Sequence, residues 1–252
     1  ALAMAMGHVI LKQFYIDQPT EYFINYTQQY TDFPYLVMLD EKDGAYRSGR
    51  FLLASDLGIE TNNADWKTVV YDQTEKKTAV PHGSLGSRWG EEGKWNLHMQ
   101  DEQTGRPIHP ALSLLDDHDE IVRVKMPYFT KEDRFTIDAN VPAKRIEVNG
   151  KSFLVATVYD LVLANYGIDR FSEQASFDDE TVPYTPAWQE KITGVDRQTV
   201  IDIAREYAQN AIDTKGRSMI IMGAGINHWY NSDVIYRAII NLVMMTGCQG
   251  VS

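Results

Sequence analysis

Two glycines, Gly223 and Gly225, stand between the uncharged run Ser218-Met-Ile-Ile-Met222 and the polar pair Asn227-His228. The run reads as a buried strand, and the stretch from Asp233 to Val243 reads as a helix. A strand, a tight glycine turn and a helix start present backbone N–H groups beyond the strand end, which is a place for a phosphate. Glycine leaves no side chain between backbone and ligand and permits positive φ. Asn227 brings two donors and an acceptor, His228 a ring nitrogen, and Ala224 completes the turn. Gly223, Ala224, Gly225, Asn227 and His228 are therefore the candidate binding residues.

The helix that must position them is marked by Asn231 and Ser232 as caps and by Gly247 as its end. Val234, Ile235, Ala238, Ile239, Leu242 and Val243 recur at helical spacing, predicting one buried stripe. An ordinary dinucleotide fingerprint wants a third glycine and an acid about 20 residues further on. His228 occupies the glycine position, and Met244, Met245 and Thr246 occupy the region of the acid, which disfavours NAD.

Gly223, Gly225, His228, Arg237-Ala238, Asn241-Leu242 and Thr246-Gly247-Cys248-Gln249-Gly250 resemble a segment of the molybdopterin oxidoreductases, the dimethyl sulfoxide reductase superfamily. Tyr184-Thr185-Pro186-Ala187-Trp188 and Ile203-Ala204-Arg205-Glu206-Tyr207-Ala208 look like the approach to that segment. Within the superfamily, Arg88-Trp89-Gly90-Glu91, Lys94-Trp95-Asn96-Leu97, Tyr159-Asp160 and Asn227-His228-Trp229-Tyr230 are similar to catalytic (alpha) subunits of membrane-bound respiratory nitrate reductases. In many superfamily members the histidine lies one place later, where Trp229 stands here.

The resemblance implies an internal fragment of an enzyme that reduces nitrate to nitrite by oxygen-atom transfer at molybdenum. It implies a bis(molybdopterin guanine dinucleotide) cofactor and a 4Fe-4S cluster in the parent, with neither bound to the fragment. It also implies an iron–sulfur beta subunit and a membrane cytochrome b-type gamma subunit, and a cytoplasmic location tied to the membrane through those partners. No catalytic residue and no metal ligand is assigned to this chain, because in the family both lie outside the matched region. Another molybdopterin oxidoreductase, or a stand-alone nucleotide-binding or interaction domain, remains as an alternative.

The expected fold class is α/β, with a Rossmann-like parallel-sheet unit in the C-terminal third, preceded by helices and an irregular β-rich segment. Three segments are expected: 1–43, helical with one strand; 44–152, β-rich; and 153–252, the cofactor-cradling unit. Residues 1 to about 30 read as helical with a break near Asp17-Gln-Pro19-Thr20, and Tyr35 to Leu39 as a strand. Thr68–Tyr71 and Ile121–Val124 lean to β, and Arg145–Val148 with Phe153–Val155 form a hairpin around the four residues Asn149-Gly150-Lys151-Ser152. Thr157, Thr185 and Asp196 are predicted N-caps, with Gly167 and Gly194 ending the first two helices.

A net charge of −11 argues against nonspecific nucleic-acid binding, and no apolar run has the length of a membrane span. One cysteine, Cys248, excludes an internal disulfide or a four-cysteine cluster built from these residues alone. His82, His98, His109 and His118 lack ligand spacing, and no nucleophile elbow, Walker or zinc-protease motif occurs. The opening in mid-helix at Ala1, without a cap, is read as the mark of a piece excised from a longer polypeptide.

Overall fold

The computed structural model describes residues 1–82, 98–128, 136–172 and 175–249. The glycine- and tryptophan-containing stretch around Arg88 and Lys94, and Gly250, lie outside the described residues. The chain divides into two compact units: Ala1–Thr27, Tyr166–Ile168 and Glu173–Ser252 form one, and Gln28–Asn165 with Asp169–Ser172 the other.

The second unit is built on a closed barrel of β1 (Leu36–Lys42), β2 (Ala45–Phe51), β7 (Glu120–Pro127), β8 (Thr136–Val148) and β9 (Lys151–Thr157), in that order. Four short strands intervene in sequence: β3 (Val70–Asp72) pairs with β4 (Lys77–Ala79), and β5 (Pro81–His82) with β6 (His98–Asp101). Two hairpins have matching causes. Asp43-Gly44 and Asn149-Gly150 each place both residues at positive φ, as a two-residue turn requires to match the strand twist. Lys42 accordingly pairs with Ala45, and Val148 with Lys151, so the second turn is tighter than the four residues expected. The barrel is completed by antiparallel pairing of β7 with β8 and of β9 with β1, and by a parallel pairing of Tyr46 with Val124. Alternation along β7 buries Val122, Val124 and Met126 and turns Ile121 outward.

Helix α3 (Val158–Asn165) follows β9 without a loop and packs on β7, β8 and β9. Its start is held by Thr157, which accepts from the Asp160 N–H at 3.1 Å and donates to the Asp160 carboxylate at 2.9 Å. That fully buried carboxylate also accepts from Ser113 Oγ at 2.7 Å, from the Leu114 N–H at 3.0 Å, and from Arg170. Four donors therefore compensate the cost of burying the charge.

In the first unit α1 (Leu2–Leu11) is apolar on nearly every side and buried from Ala5 to Leu11. It packs against α4 (Pro186–Thr193), α5 (Arg197–Thr214) and α7 (Ser232–Met245). Gly7 is required here, since a Cβ would lie 2.3 Å from Tyr166 Cε1. One π-helical turn, Lys12–Asp17, follows, and α2 (Glu21–Tyr30) begins just after Thr20. Thr185 accepts from the Trp188 N–H at 3.1 Å and Asp196 from the Thr199 N–H at 2.9 Å, so both predicted caps form. Gly167 and Gly194 sit at positive φ after α3 and α4.

The α/β character expected from the sequence is present, but the parallel sheet expected in the last third is not formed by these residues. Among the described residues no strand follows Thr157. Ser218–Met222 forms neither helix nor strand and pairs with no strand among the described residues, and Met219 and Ile221 are 77% and 84% exposed. A strand is stabilised by its ladder neighbours, and none lies beside this segment among the described residues. The stripe on α7 is likewise only partly covered: Leu242 is buried, while Val234 and Ile235 are exposed.

His8 lies in the core of the first unit, 1% exposed, with Nδ1 donating to the Tyr166 carbonyl at 2.7 Å. Nε2 is buried with no hydrogen-bond partner, and burial pushes the ring pKa down to about 4. Protonation is thus easier in the unfolded chain, and the stability this neutral ring confers is complete above pH 6.5 and lost as pH falls towards 4. Urea unfolding should show about 2 kcal/mol lost between pH 7 and pH 5 from this group. His8→Leu should flatten that slope, and an unchanged slope would show that the ring does not titrate in this way.

Candidate functional site

The five candidate residues lie on one continuous exposed turn. Gly223 precedes the short helix α6 (Ala224–Asn227), which leads through His228, Trp229 and Tyr230 to Asn231, the cap position of α7. Gly223, Ala224, Gly225, Asn227 and His228 are all exposed. Trp229 and Tyr230 are 69% and 99% exposed.

The tether of this turn is the far end of α7. Leu242, Met245 and Thr246 are buried, and Gly247 at positive φ ends the helix, as its sequence position predicted. Tyr15, Tyr22 and Tyr26 donate hydroxyl hydrogen bonds to the carbonyls of Met245, Gly247 and Gln249, at 2.5, 2.8 and 3.0 Å. Carbonyls at and just beyond a helix end lack helical partners, so these three contacts satisfy them while fixing the helix. Cys248 is half-buried, its sulfur 3.2 Å from Thr246 Oγ1.

The glycines have no internal explanation. Gly223 has φ −144° and ψ −166°, an extended conformation open to any residue, and Gly225 is not at positive φ. The conformational argument made from the sequence therefore fails at both positions. A Cβ built on either would meet no atom within 4 Å. The backbone at both positions is thus open to close approach by a group from outside the described residues.

Asn227 Oδ1 accepts a hydrogen bond from the Tyr236 hydroxyl, which leaves the amide N–H groups as its outward donors. Sequence reasoning missed Tyr236; its only signal was a hydroxyl on the first turns of the helix that follows the turn. Asn231 makes no side-chain cap bond, so the expected capping role is not realised through its amide. Arg237 is exposed on α7, and Arg217 is exposed before the extended segment. From Ser218 to Asn231 there is no acidic residue, although the chain as a whole carries −11. The turn itself thus offers neutral donors to an anionic or polar ligand, with Asp233 in the first turn of α7 the next acid along the chain. Among the described residues no group of three His, Cys, Asp or Glu is placed to hold a metal ion. No helix among them is long and apolar enough to cross a membrane.

A family model described as molybdopterin oxidoreductase matches residues 1–252. The chain belongs to the molybdopterin oxidoreductase family. It is 54% identical over 254 residues to the nitrate reductase alpha chain of Bacillus subtilis, covering 100% of this chain and 21% of that protein. It is 48% identical over 269 residues to the respiratory nitrate reductase 1 alpha chain of Escherichia coli, again covering 100% and 21%. The nitrate reductase alpha subunit of Mycobacterium tuberculosis is 42% identical over 265 residues, covering 99% of this chain and 20% of that protein. The chain thus spans about a fifth of the length of the curated relatives it matches. Membership in this family ties the chain to a molybdenum–pterin cofactor.

Because a Cβ added at either glycine meets no atom of the described residues, Gly223→Ala should leave the unfolding free energy within about 0.5 kcal/mol. Gly225→Ala should raise it by up to about 1 kcal/mol, since alanine is the better residue within a helix. Chemical denaturation measures both, and a loss above 1 kcal/mol in either would reveal an internal role for the glycine.

Proposed function

We propose that this chain is part of the catalytic subunit of a molybdenum-dependent nitrate reductase, and that the turn Gly223–His228 forms part of the wall around a molybdopterin guanine dinucleotide. The observation that carries the reading is the exposed glycine turn, whose two glycines neither backbone conformation nor internal packing requires. The named relatives supply the reaction: each is a nitrate reductase alpha chain or subunit.

In this reading the unpaired backbone N–H groups at Ala224 and Gly225 face phosphate or pterin oxygens, which glycine allows to approach closely. The amide N–H of Asn227, oriented by Tyr236, donates to a polar edge of the heterocycle, and His228 donates beside it. The chemistry such a cofactor supplies when bound is two-electron oxygen-atom transfer from nitrate, which leaves nitrite. This chain's residues bind and orient, and none of them is assigned to the bond-breaking step.

A 4Fe-4S cluster, an iron–sulfur beta subunit and a membrane cytochrome b-type gamma subunit belong to the same proposal, as does a cytoplasmic location reached through those partners. The cluster draws its ligands from elsewhere in the polypeptide, because Cys248 is the one cysteine here. The cofactor-cradling role is proposed for the segment 153–252.

Two outcomes test the reading. In the full-length protein, Gly223→Val and Gly225→Val should each lower molybdenum content and nitrate-reducing activity together, because a branched side chain occupies the approach path. Full metal loading in both variants would remove the turn from the cofactor site. The 252-residue chain alone should retain no molybdenum and form no nitrite with reduced viologen, since one exposed turn recovers little of the binding energy of an enclosing site. Stoichiometric molybdenum, or nitrite above buffer, would place the active centre within this chain.

A further inference from the structure

The barrel unit holds an opening of its own, where β1, β2, β7 and α3 leave a cavity of about 390 Å³ between them. Its walls are apolar: Val37 of β1, Phe51 of β2, Met126 of β7, and Leu161 and Val162 of α3. Three neutral or acidic polar side chains join them, Asp32 from the chain just before β1, Ser48 from β2 and Asn165 from the last position of α3. A volume within the roughly 300–1,000 Å³ of ligand pockets, apolar walls and a few polar groups are the ordinary make-up of a small-molecule site.

The polar groups give the cavity a preference. Asp32 stands at the mouth with an exposed edge, and desolvation raises its carboxyl pKa above the ordinary value, against a smaller opposing effect of the bond from its own backbone N–H. Asp32 takes part in no ion pair among the described residues. Arg50 also lines the cavity, but its guanidinium is spent: it donates to both carboxylate oxygens of Asp56, at 2.7 and 2.6 Å, and to the Phe51 carbonyl at 3.0 Å. The charges acting around this wall are three carboxylates, Asp32, Asp40 and Asp56, against Arg50 and Lys151, and both cations act on Asp56. The Asn165 amide and the Ser48 hydroxyl make no side-chain hydrogen bond among the described residues, so each keeps an acceptor oxygen available. An anion here would be repelled, and a neutral apolar ligand would cover the carboxylate without compensating it. A cation with an apolar body satisfies both the walls and the charge.

We infer that this cavity is a binding site for a small organic cation of the alkylammonium class, its apolar body held between α3 and the strands and its ammonium donating to the Asp32 carboxylate, with Asn165 and Ser48 supplying further acceptors. The cavity lies wholly within the barrel unit, so its occupant is independent of any ligand at the glycine turn.

Isothermal titration of the full-length protein with hexylammonium, hexanol and hexanoate tests the assignment. Hexylammonium should bind saturably and at least about tenfold more tightly than hexanol, as a hydrogen bond to a desolvated carboxylate requires, and hexanoate should not bind. Asp32→Asn should abolish the preference for the cation and leave the affinity for hexanol unchanged, while Val162→Trp, which fills the cavity, should remove the binding of both. No saturable binding of hexylammonium to the folded protein would overturn the site, as would equal affinity for the alcohol, a preference that survives Asp32→Asn, or binding that survives Val162→Trp. Where the tryptophan variant does not fold, Asp32→Asn decides alone, since it keeps the shape of the side chain and changes only its charge.

Discussion

Everything proposed for the turn depends on the grip on the far end of α7. Tyr15, Tyr22 and Tyr26 reach from the N-terminal helices to three carbonyls at and beyond its last residue, and α1 packs alongside. These are contacts between residues more than 220 positions apart, so the two ends of the sequence make one core. A helix held at one end acts as a rigid arm. The turn at its other end can therefore be exposed and still be placed, which is what a surface that must meet a ligand without moving requires. The small residues of α1 serve the same end: Gly7 lets Tyr166 lie directly on the helix, and Tyr166 in turn accepts from His8.

The barrel unit relies on a different kind of constraint. Its hairpins are decided by two local Asx-Gly pairs, but the join to α3 is decided by one buried carboxylate. Asp160 gathers donors from Ser113, Leu114, Thr157 and Arg170, four positions from three separate stretches of chain. Removing the carboxylate would strand the guanidinium of Arg170, whose side chain is only 15% exposed. A network of this kind is costly to leave half-satisfied, which gives it more influence on a unique arrangement than on net stability.

What the sequence made legible was whatever a few neighbouring residues decide. The caps at Thr157, Thr185 and Asp196 and the stops at Gly167, Gly194 and Gly247 follow from side-chain oxygens and positive φ, and each is a local balance. The hairpin at Asn149-Gly150 is local in the same sense. The parallel pairing of Tyr46 with Val124 and the burial of α1 were not legible, because their partners lie far away in sequence. The strand reading of Ser218–Met222 went wrong in an instructive way: composition identifies the kind of environment a segment needs, but only neighbours can provide it. The stripe on α7 failed at Val234 and Ile235 for the same reason, and held at Leu242, where the first unit supplies a core. At the turn, the expectation of positive φ at its glycines was wrong, since neither adopts a left-handed conformation, whereas the open space beside their backbone agrees with the other reason given for them.

That error strengthens the functional argument. Had Gly223 or Gly225 occupied positive φ, or lain against a neighbour as Gly7 does, the turn would be explained from within, and nothing about a ligand would follow. A glycine inside a short helix lowers stability relative to alanine by up to about 1 kcal/mol. Open space beside such a glycine leaves its backbone accessible to a group from outside the described residues. A stand-alone nucleotide-binding domain would receive such a group in an enclosed site of its own. Here the residues on either side of the glycines, Met219, Ile221, Trp229 and Tyr230, are also exposed. Apolar exposure on this scale is the mark of a surface that others cover. In the proposed reading, the ligand-facing turn and these apolar side chains form one side of a larger cofactor site whose other walls belong to other parts of the polypeptide.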